Sequence, residues 1–245
     1  MVISLSEQKA NIVMIRYALP TLLFTLSVVI LSTSCNDGKT IKPSAKDIDA
    51  VSETADLDIE TNEPTILFFG NSLTAGYGLD PEDSFPSRID DIIDSLGLSY
   101  KVVNAGLSGE TTSGGLNRID WVLSQRVDIF VLELGANDML RGLPLTETEK
   151  NLKAIMDRVK AKYPDATIVL AEMLAAPNMG KEYADEFKMI YTRLAKSESV
   201  LLMPFFLQDV ADRSEYILPD GKHPNAEGQK IVASYIWGYL QRAAL

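Results

Sequence analysis

From Pro64 onward the sequence alternates short apolar runs with amphipathic segments, and this alternation restricts the fold more than any other feature. The apolar runs are typical of strands that are buried on both faces of a parallel sheet. They predict five strands, at Thr65–Phe69, Tyr100–Val103, Ile129–Leu134, Thr167–Met173 and Leu201–Pro204. The amphipathic segments predict helices at Phe85–Leu96, Ser113–Ser124, Thr146–Tyr163, Tyr183–Lys196 and Ala226–Arg242. Strands and helices that alternate in this way indicate an α/β fold, with a parallel sheet covered on both faces.

Small, polar segments that contain glycine follow the predicted strands. They are Gly70–Thr74, Asn104–Thr111, Gly135–Asp138 and, late in the chain, Asp220–Pro224. In open α/β sheets, ligands bind at the carboxyl ends of the strands. The four segments are therefore expected to meet at one edge of the sheet and to form a site there.

A serine and the single histidine of the chain lie in these segments, and together they suggest nucleophilic catalysis. A serine hydroxyl is a poor nucleophile unless a base accepts its proton, and His223 is the one histidine that can do so for Ser72. Asp220 lies close enough in a tight loop to accept the imidazole Nδ1 proton. Gly109, the amide of Asn137 and the backbone N–H of Ser72 offer donors for a tetrahedral oxyanion. The chain has no G-x-S-x-G motif, which argues against an ordinary α/β-hydrolase.

Taken one at a time, these residues also have ordinary structural explanations. A serine between a strand and a helix, such as Ser72, commonly caps the helix, and Asn137 or Asp138 could cap the next turn in the same way. Gly109 could serve a left-handed turn, and Asp220–Gly221 is a common turn pair. Their joint occurrence at predicted strand ends favours the catalytic interpretation.

Other side chains near these segments are expected to play lesser roles. Glu110 and Arg141 are expected to be solvated, with contact to a substrate as the alternative. The methionines Met139, Met173 and Met179 are expected to pack in the core, with the lining of an acyl pocket as the alternative.

The four segments resemble, in order, the four characteristic segments of the SGNH/GDSL hydrolases. The stretches VVNAGLSGETTSGGLNRI and VLELGANDMLRGLP support the resemblance, in particular to the multifunctional thioesterase/lysophospholipase/arylesterase type. The resemblance implies the SGNH hydrolase fold, a flavodoxin-like three-layer sandwich with a five-stranded parallel sheet. The residues that match the family's catalytic and oxyanion-binding positions are Ser72, Gly109, Asn137, Asp220 and His223.

One position departs from the family pattern. Where the family usually has Gly-Asp-Ser-Leu, this chain has Gly70-Asn71-Ser72-Leu73. Asparagine has nearly the shape of aspartate and keeps an acceptor oxygen, so the turn can form. The charge beside Ser72, however, is lost.

The resemblance implies a serine esterase that hydrolyses carboxylic ester or thioester bonds of acyl substrates through an acyl-enzyme. No cofactor or metal is implied. Two alternatives stay open: a carbohydrate acetyl esterase, and a ligand-binding lipoprotein that keeps the fold without catalysis. A net charge of −11 leaves no basic footprint for nucleic acid, and a chain with one cysteine and one histidine has no zinc-ligand cluster. No motif indicates a protein partner.

The N-terminus has the pattern of an export signal. Arg16 precedes an apolar run at residues 17–31, which is short for a membrane span and is followed by small residues before Cys35. Cys35 resembles the lipid-attachment cysteine of a bacterial lipoprotein, which predicts a protein anchored to a membrane surface on the periplasmic or cell-envelope side. The alternative is an ordinary cleaved signal. Residues 36–63 carry eight acidic and three basic residues and no aromatic one, so we predict a flexible linker before a hydrolase domain at residues 64–245.

Overall fold

The computed structural model describes residues 63–245, so the predicted signal, Cys35 and nearly all of the predicted linker lie outside the described residues. The strands are β1 (Thr65–Gly70), β2 (Lys101–Gly106), β3 (Ile129–Glu133), β4 (Thr167–Ala171) and β5 (Leu201–Met203). They form one five-stranded sheet in the order β2-β1-β3-β4-β5, and every neighbouring pair is parallel. This is the flavodoxin-like strand order, so the predicted sheet is confirmed.

Seven helices connect and cover the strands within residues 63–245. They are α1 (Ser72–Ala75), α2 (Phe85–Ser95), α3 (Thr112–Val122), α4 (Ala136–Leu140), α5 (Leu145–Lys162), α6 (Lys181–Glu198) and α7 (Ala226–Ala243). Helix α2 packs against α7, while α3 and α6 each pack against α5. Because parallel crossovers are right-handed, and the chain reverses direction across the sheet after β2, these two groups cover opposite faces. In this part of the chain, no helix is both long enough and apolar enough to cross a membrane.

The predicted helices are all present, with ends that differ from the prediction by a few residues. The additional helices α1 and α4 have only four and five residues, too few to show an amphipathic period. Both begin directly after central strands. They carry two of the residues that the sequence predicts for the site, Ser72 on α1 and Asn137 on α4.

The register of the central strands determines where that site lies. Strands β1 and β3 are buried along their whole length, whereas the edge strand β2 is partly exposed. The last residue of β1, Gly70, stands beside Gly106 of β2 and Glu133 of β3. The three strands thus end in one row. Their following loops meet between β1 and β3, where the chain changes direction across the sheet and where such folds bind ligands.

Candidate active site

The turn after β1 presents Ser72 as the first residue of α1. Asn71 caps this helix, since its side-chain oxygen accepts a hydrogen bond of 2.9 Å from the backbone N–H of Leu73. The residue that caps this helix is therefore Asn71 and not Ser72, the alternative that the sequence left open. The Ser72 hydroxyl instead lies 2.8 Å from Nε2 of His223.

The loop before α7 contains His223 and also Asp220, which binds the other nitrogen of the imidazole. Nδ1 of His223 lies 2.5 Å from one carboxylate oxygen of Asp220. The other oxygen accepts the backbone N–H groups of Lys222 at 2.9 Å and of His223 at 3.1 Å. Gly221 allows this tight turn with a positive φ of 71°. Two consecutive hydrogen bonds thus join Ser72 to His223 and His223 to Asp220, and these three residues form the relay of the site.

The hydrogen bond with His223 lowers the pKa of Asp220 to about 2, and the two backbone N–H groups act in the same direction. Asp220 therefore stays ionised at any pH near neutrality. An ionised partner at Nδ1 keeps the proton on that nitrogen, so that Nε2 is free to accept the proton of Ser72.

Tyr77, which the sequence analysis did not single out, packs against the imidazole. The two rings have centroids 4.6 Å apart and planes inclined by 40°. Tyr77 follows α1 by two residues, and its backbone N–H donates to the carbonyl of Ser72. The same turn therefore positions both the serine and one face of the histidine ring.

The loop after β2 brings Gly109 to the same edge. The N–H of Leu107 donates to the carbonyl of Gly70 at 2.9 Å, which joins this loop to the strand before Ser72. Gly109 has a φ of 80°. From α4, the Asn137 amide donates to the Glu110 carbonyl at 3.0 Å, and the Arg141 guanidinium donates to the Gly109 carbonyl at 2.7 Å. The predicted oxyanion donors Gly109 and Asn137 are thus held side by side, and Asn137 keeps a second N–H for a ligand.

Two buried carboxylates hold the loop that contains Gly109 in place. Asp138 accepts the N–H of Thr112 at 2.8 Å and its hydroxyl at 2.5 Å, so it ties the start of α3 to α4 rather than capping a turn. Glu110 is buried and accepts a hydrogen bond of 2.6 Å from Arg118. The expectation that Glu110 is solvated is therefore wrong, because the loop folds its side chain inward onto α3. Arg141 is exposed, as expected.

The sequence also matches a known protein family. Residues 68–231 match the GDSL-like Lipase/Acylhydrolase family. The chain belongs to this family. The resemblance to SGNH/GDSL hydrolases is therefore confirmed, and the chain is an acylhydrolase of the GDSL type.

Individual members of the GDSL family show how much of the chain the similarity covers. An arylesterase of Vibrio mimicus is 39% identical over 172 residues, which are 70% of this chain and 85% of that protein. Thioesterase 1/protease 1/lysophospholipase L1 of Escherichia coli strain K12 is 37% identical over 178 residues, 72% of this chain and 83% of its own. The psychrotrophic esterase EstA from Pseudoalteromonas sp., in a structure inhibited by monoethylphosphonate, has a TM-score of 0.70 at 32% identity. That similarity covers 74% of this chain and 98% of EstA.

Proposed function

We propose that this GDSL hydrolase is a serine esterase that cleaves carboxylic ester and thioester bonds of acyl substrates through an acyl-enzyme on Ser72. The observation that supports the proposal most directly is the relay from Ser72 Oγ to His223 Nε2 at 2.8 Å and from His223 Nδ1 to Asp220 at 2.5 Å. The names of the relatives, an arylesterase and a thioesterase/lysophospholipase, support the choice of ester and thioester substrates.

In the proposed first half-reaction, His223 accepts the proton of Ser72 as the hydroxyl oxygen attacks the carbonyl carbon. The backbone N–H groups of Ser72 and Gly109 and the second amide N–H of Asn137 bind the oxyanion that forms. The tetrahedral intermediate collapses and releases the alcohol or thiol, which takes its proton from His223. Asp220 stays ionised throughout and stabilises the imidazolium.

In the second half-reaction, water attacks the acyl-enzyme with His223 again as the base. The bond between the acyl carbon and the serine oxygen breaks, the serine regains a proton from His223, and the carboxylic acid leaves. The proton passes only between the hydroxyl, the imidazole, the leaving group and water.

An open depression of about 780 Å³ at the same edge, lined in part by the charged side chains of Lys181, Glu182, Asp185 and Glu186, is the place that we propose for acyl groups longer than acetyl. It lies beside the N-terminal turns of α5 and α6, and its apolar lining comes from Leu145, Met179, Tyr183 and Met189. Met179 follows β4, and Leu145 follows the loop that continues from α4 and Asn137. A volume of this size is typical of small-molecule pockets. The expectation that Met139 and Met173 pack in the core is confirmed, while Met179 is only partly buried and lines this depression.

The test is hydrolysis of p-nitrophenyl acyl esters of increasing chain length by the purified protein. If the depression takes the acyl chain, kcat/KM should rise by about fourfold for each added methylene until the depression is filled, since burying one methylene contributes roughly 0.8 kcal/mol. The Met179→Ser variant should lose part of this rise while hydrolysing the acetyl ester as the native protein does. Activity on acetyl esters alone would favour the carbohydrate acetyl esterase, and binding without turnover would favour the ligand-binding lipoprotein.

We also propose that the chain is exported and lipid-anchored through Cys35, so that a membrane surface is its partner. The support is the basic residue Arg16, the apolar run at residues 17–31 and the small residues before Cys35. One acyl chain anchors a protein only marginally, whereas two or more hold it stably at a membrane. When cells are fractionated, the native protein should sediment with membranes and Cys35→Ser should move to the soluble fraction. A Cys35→Ser protein that stays as firmly in the membrane fraction contradicts the proposal.

A further inference from the structure

A carboxylate without a basic partner lies beneath Asn71 and Ser72, the turn between β1 and α1 that we call the nucleophile turn. Glu133, the last residue of β3, is 2% exposed, and the partners of its carboxylate within residues 63–245 are neutral hydrogen-bond donors. One oxygen accepts the backbone N–H of Asn71 at 3.1 Å and the hydroxyl of Thr74 at 2.8 Å. The other oxygen accepts the side-chain amide of Asn71 at 2.5 Å. A charged group in an otherwise apolar strand is costly unless it has such partners.

The sequence makes room for this carboxylate at one position. A Cβ atom on Gly70 would lie 2.6 Å from the Glu133 oxygen that accepts the Thr74 hydroxyl and 2.1 Å from that hydroxyl itself. Only a residue without a side chain can therefore end β1 here. Glycine at position 70 therefore leaves the space under α1 that the Glu133 carboxylate occupies.

The hydrogen bond from Asn71 to Glu133 also determines which way the Asn71 amide faces. With its nitrogen on Glu133, its oxygen accepts the N–H of Leu73 at 2.9 Å and lies 3.4 Å from the hydroxyl of Ser72. The reverse orientation would place the amide oxygen against a carboxylate and the amide nitrogen against the N–H of Leu73. Both contacts would be repulsive.

We propose that Glu133 is a positioning residue for Ser72: it holds Asn71 in the one orientation that caps α1, the helix whose first residue is Ser72. The proposal rests on Ser72 being the nucleophile. It also implies that position 71 needs an amide, because only an amide can donate a hydrogen bond to the Glu133 carboxylate and accept one from Leu73. An aspartate there would face Glu133 with a second carboxylate, and one of the two would have to keep a proton.

Burial and hydrogen bonding act in opposite directions on the pKa of Glu133. Burial raises the pKa of Glu133 to about 7, and the hydrogen bonds from Thr74 and Asn71 act against this rise. Burial raises the pKa of Tyr191 on α6 well above its usual value, and the charges of Glu133, of Asp138 on α4 and of Glu172 act in the same direction. Glu133 itself is ionised above about pH 7, where its charge would repel a second carboxylate at position 71.

Three variants test the proposal: Asn71→Asp, Glu133→Gln and the double variant that carries both. Glu133→Gln sets two amides against each other. If the new amide oxygen keeps the backbone N–H of Asn71 and the hydroxyl of Thr74, its nitrogen faces the amide nitrogen of Asn71; if it turns to accept from that nitrogen, its own nitrogen faces the backbone N–H. In either orientation one donor stays unpaired, unless Asn71 turns and loses its hydrogen bond with Leu73. Asn71→Asp sets two carboxyls against each other. The double variant again pairs one amide with one carboxylate, with the two groups exchanged. The new amide at position 133 can donate to the new carboxylate at position 71, and its oxygen can accept from the backbone N–H of residue 71 and from the hydroxyl of Thr74. Every hydrogen bond of the native arrangement then has a donor and an acceptor.

We expect each single variant to lower kcat for a p-nitrophenyl ester by about tenfold or more, with KM within about twofold, because an unpaired polar group under α1 shifts the helix that carries Ser72. The double variant should recover kcat to within about threefold of the native protein. In Asn71→Asp, the ratio of kcat to the native value should fall as the pH rises and the shared proton leaves. The double variant has a single carboxyl in the pair and should not show this fall.

The matched control is Glu172→Gln, which changes another buried glutamate at the same edge, directly after β4 and away from the nucleophile turn. Its kcat should stay within about twofold of the native value. Single variants with native kcat, or a double variant no more active than the poorer single one, would overturn the proposal. A Ser72→Ala protein that keeps native activity would instead overturn the proposed function, so the two failures can be told apart. Circular dichroism and the melting temperature of each variant separate a loss of fold from a loss of positioning.

Discussion

Replacing Ser72 with alanine is expected to lower kcat/KM for a p-nitrophenyl ester by at least about 10⁴-fold, because the reaction then loses its nucleophile and only oxyanion binding and substrate positioning remain. The side chain is partly exposed, and its hydroxyl lies 2.8 Å from Nε2 of His223 and 3.4 Å from the side-chain oxygen of Asn71. Its removal should therefore leave the melting temperature nearly unchanged. Steady-state kinetics over a range of substrate concentrations, together with thermal unfolding, measure both effects.

Ser113→Ala is the matched control for this prediction. Ser113 is exposed in the first turn of α3, on the carboxyl side of the sheet, and it has no role in the relay. Its activity should stay within about twofold of the native value. If Ser72→Ala and Ser113→Ala were equally active, the nucleophile would have to be another residue.

Replacing Gly106 with alanine is expected to lower the free energy of unfolding by about 3 kcal/mol. A Cβ atom at this position would lie 2.3 Å from the backbone nitrogen of Ala75 and 2.7 Å from the carbonyl carbon of Thr74. Backbone atoms cannot rotate away as the end of a side chain can, so α1 must move off the end of β2. For a domain of this size, a loss of about 3 kcal/mol corresponds to a melting temperature lower by about 6–12 °C.

The same displacement should also lower activity, since α1 carries Ser72. Gly238→Ala provides the control, because Gly238 lies within α7 and its nearest contact would be the flexible end of Arg242 at 3.3 Å. Alanine favours a helix over glycine by about 1 kcal/mol, so this variant should melt at or above the native temperature. A Gly106→Ala protein that melts together with Gly238→Ala would show that α1 does not rest on β2 as described.

The fold was predictable because burial on both faces of a sheet leaves a clear trace in the sequence. The central strands β1 and β3 are continuous apolar runs, and the helices around them are long enough to show a period. The residues of the relay were predictable for a similar reason. Each stands directly after a strand or in a short glycine turn, and the chain offers a single histidine.

The side chains that support the relay were not predictable in the same way. Glu110 and Arg118 are eight residues apart, Thr112 and Asp138 are 26 apart, and Asn71 and Glu133 are 62 apart. The pattern of one sequence does not tell which distant polar groups meet once the strands align. Glu133 nevertheless carried a signal, because a carboxylate that ends a fully apolar strand needs buried hydrogen-bond partners.

The central claim, that Ser72 is the nucleophile, is tested most directly by covalent trapping with an alkyl phosphonate that carries a p-nitrophenolate leaving group. The serine oxygen should bond to phosphorus as p-nitrophenolate leaves, which gives one adduct per chain by intact-protein mass spectrometry. After digestion, the adduct should lie on the peptide that contains Ser72, and Ser72→Ala should remain unmodified. An adduct on another residue, or equal labelling of Ser72→Ala, would contradict this assignment.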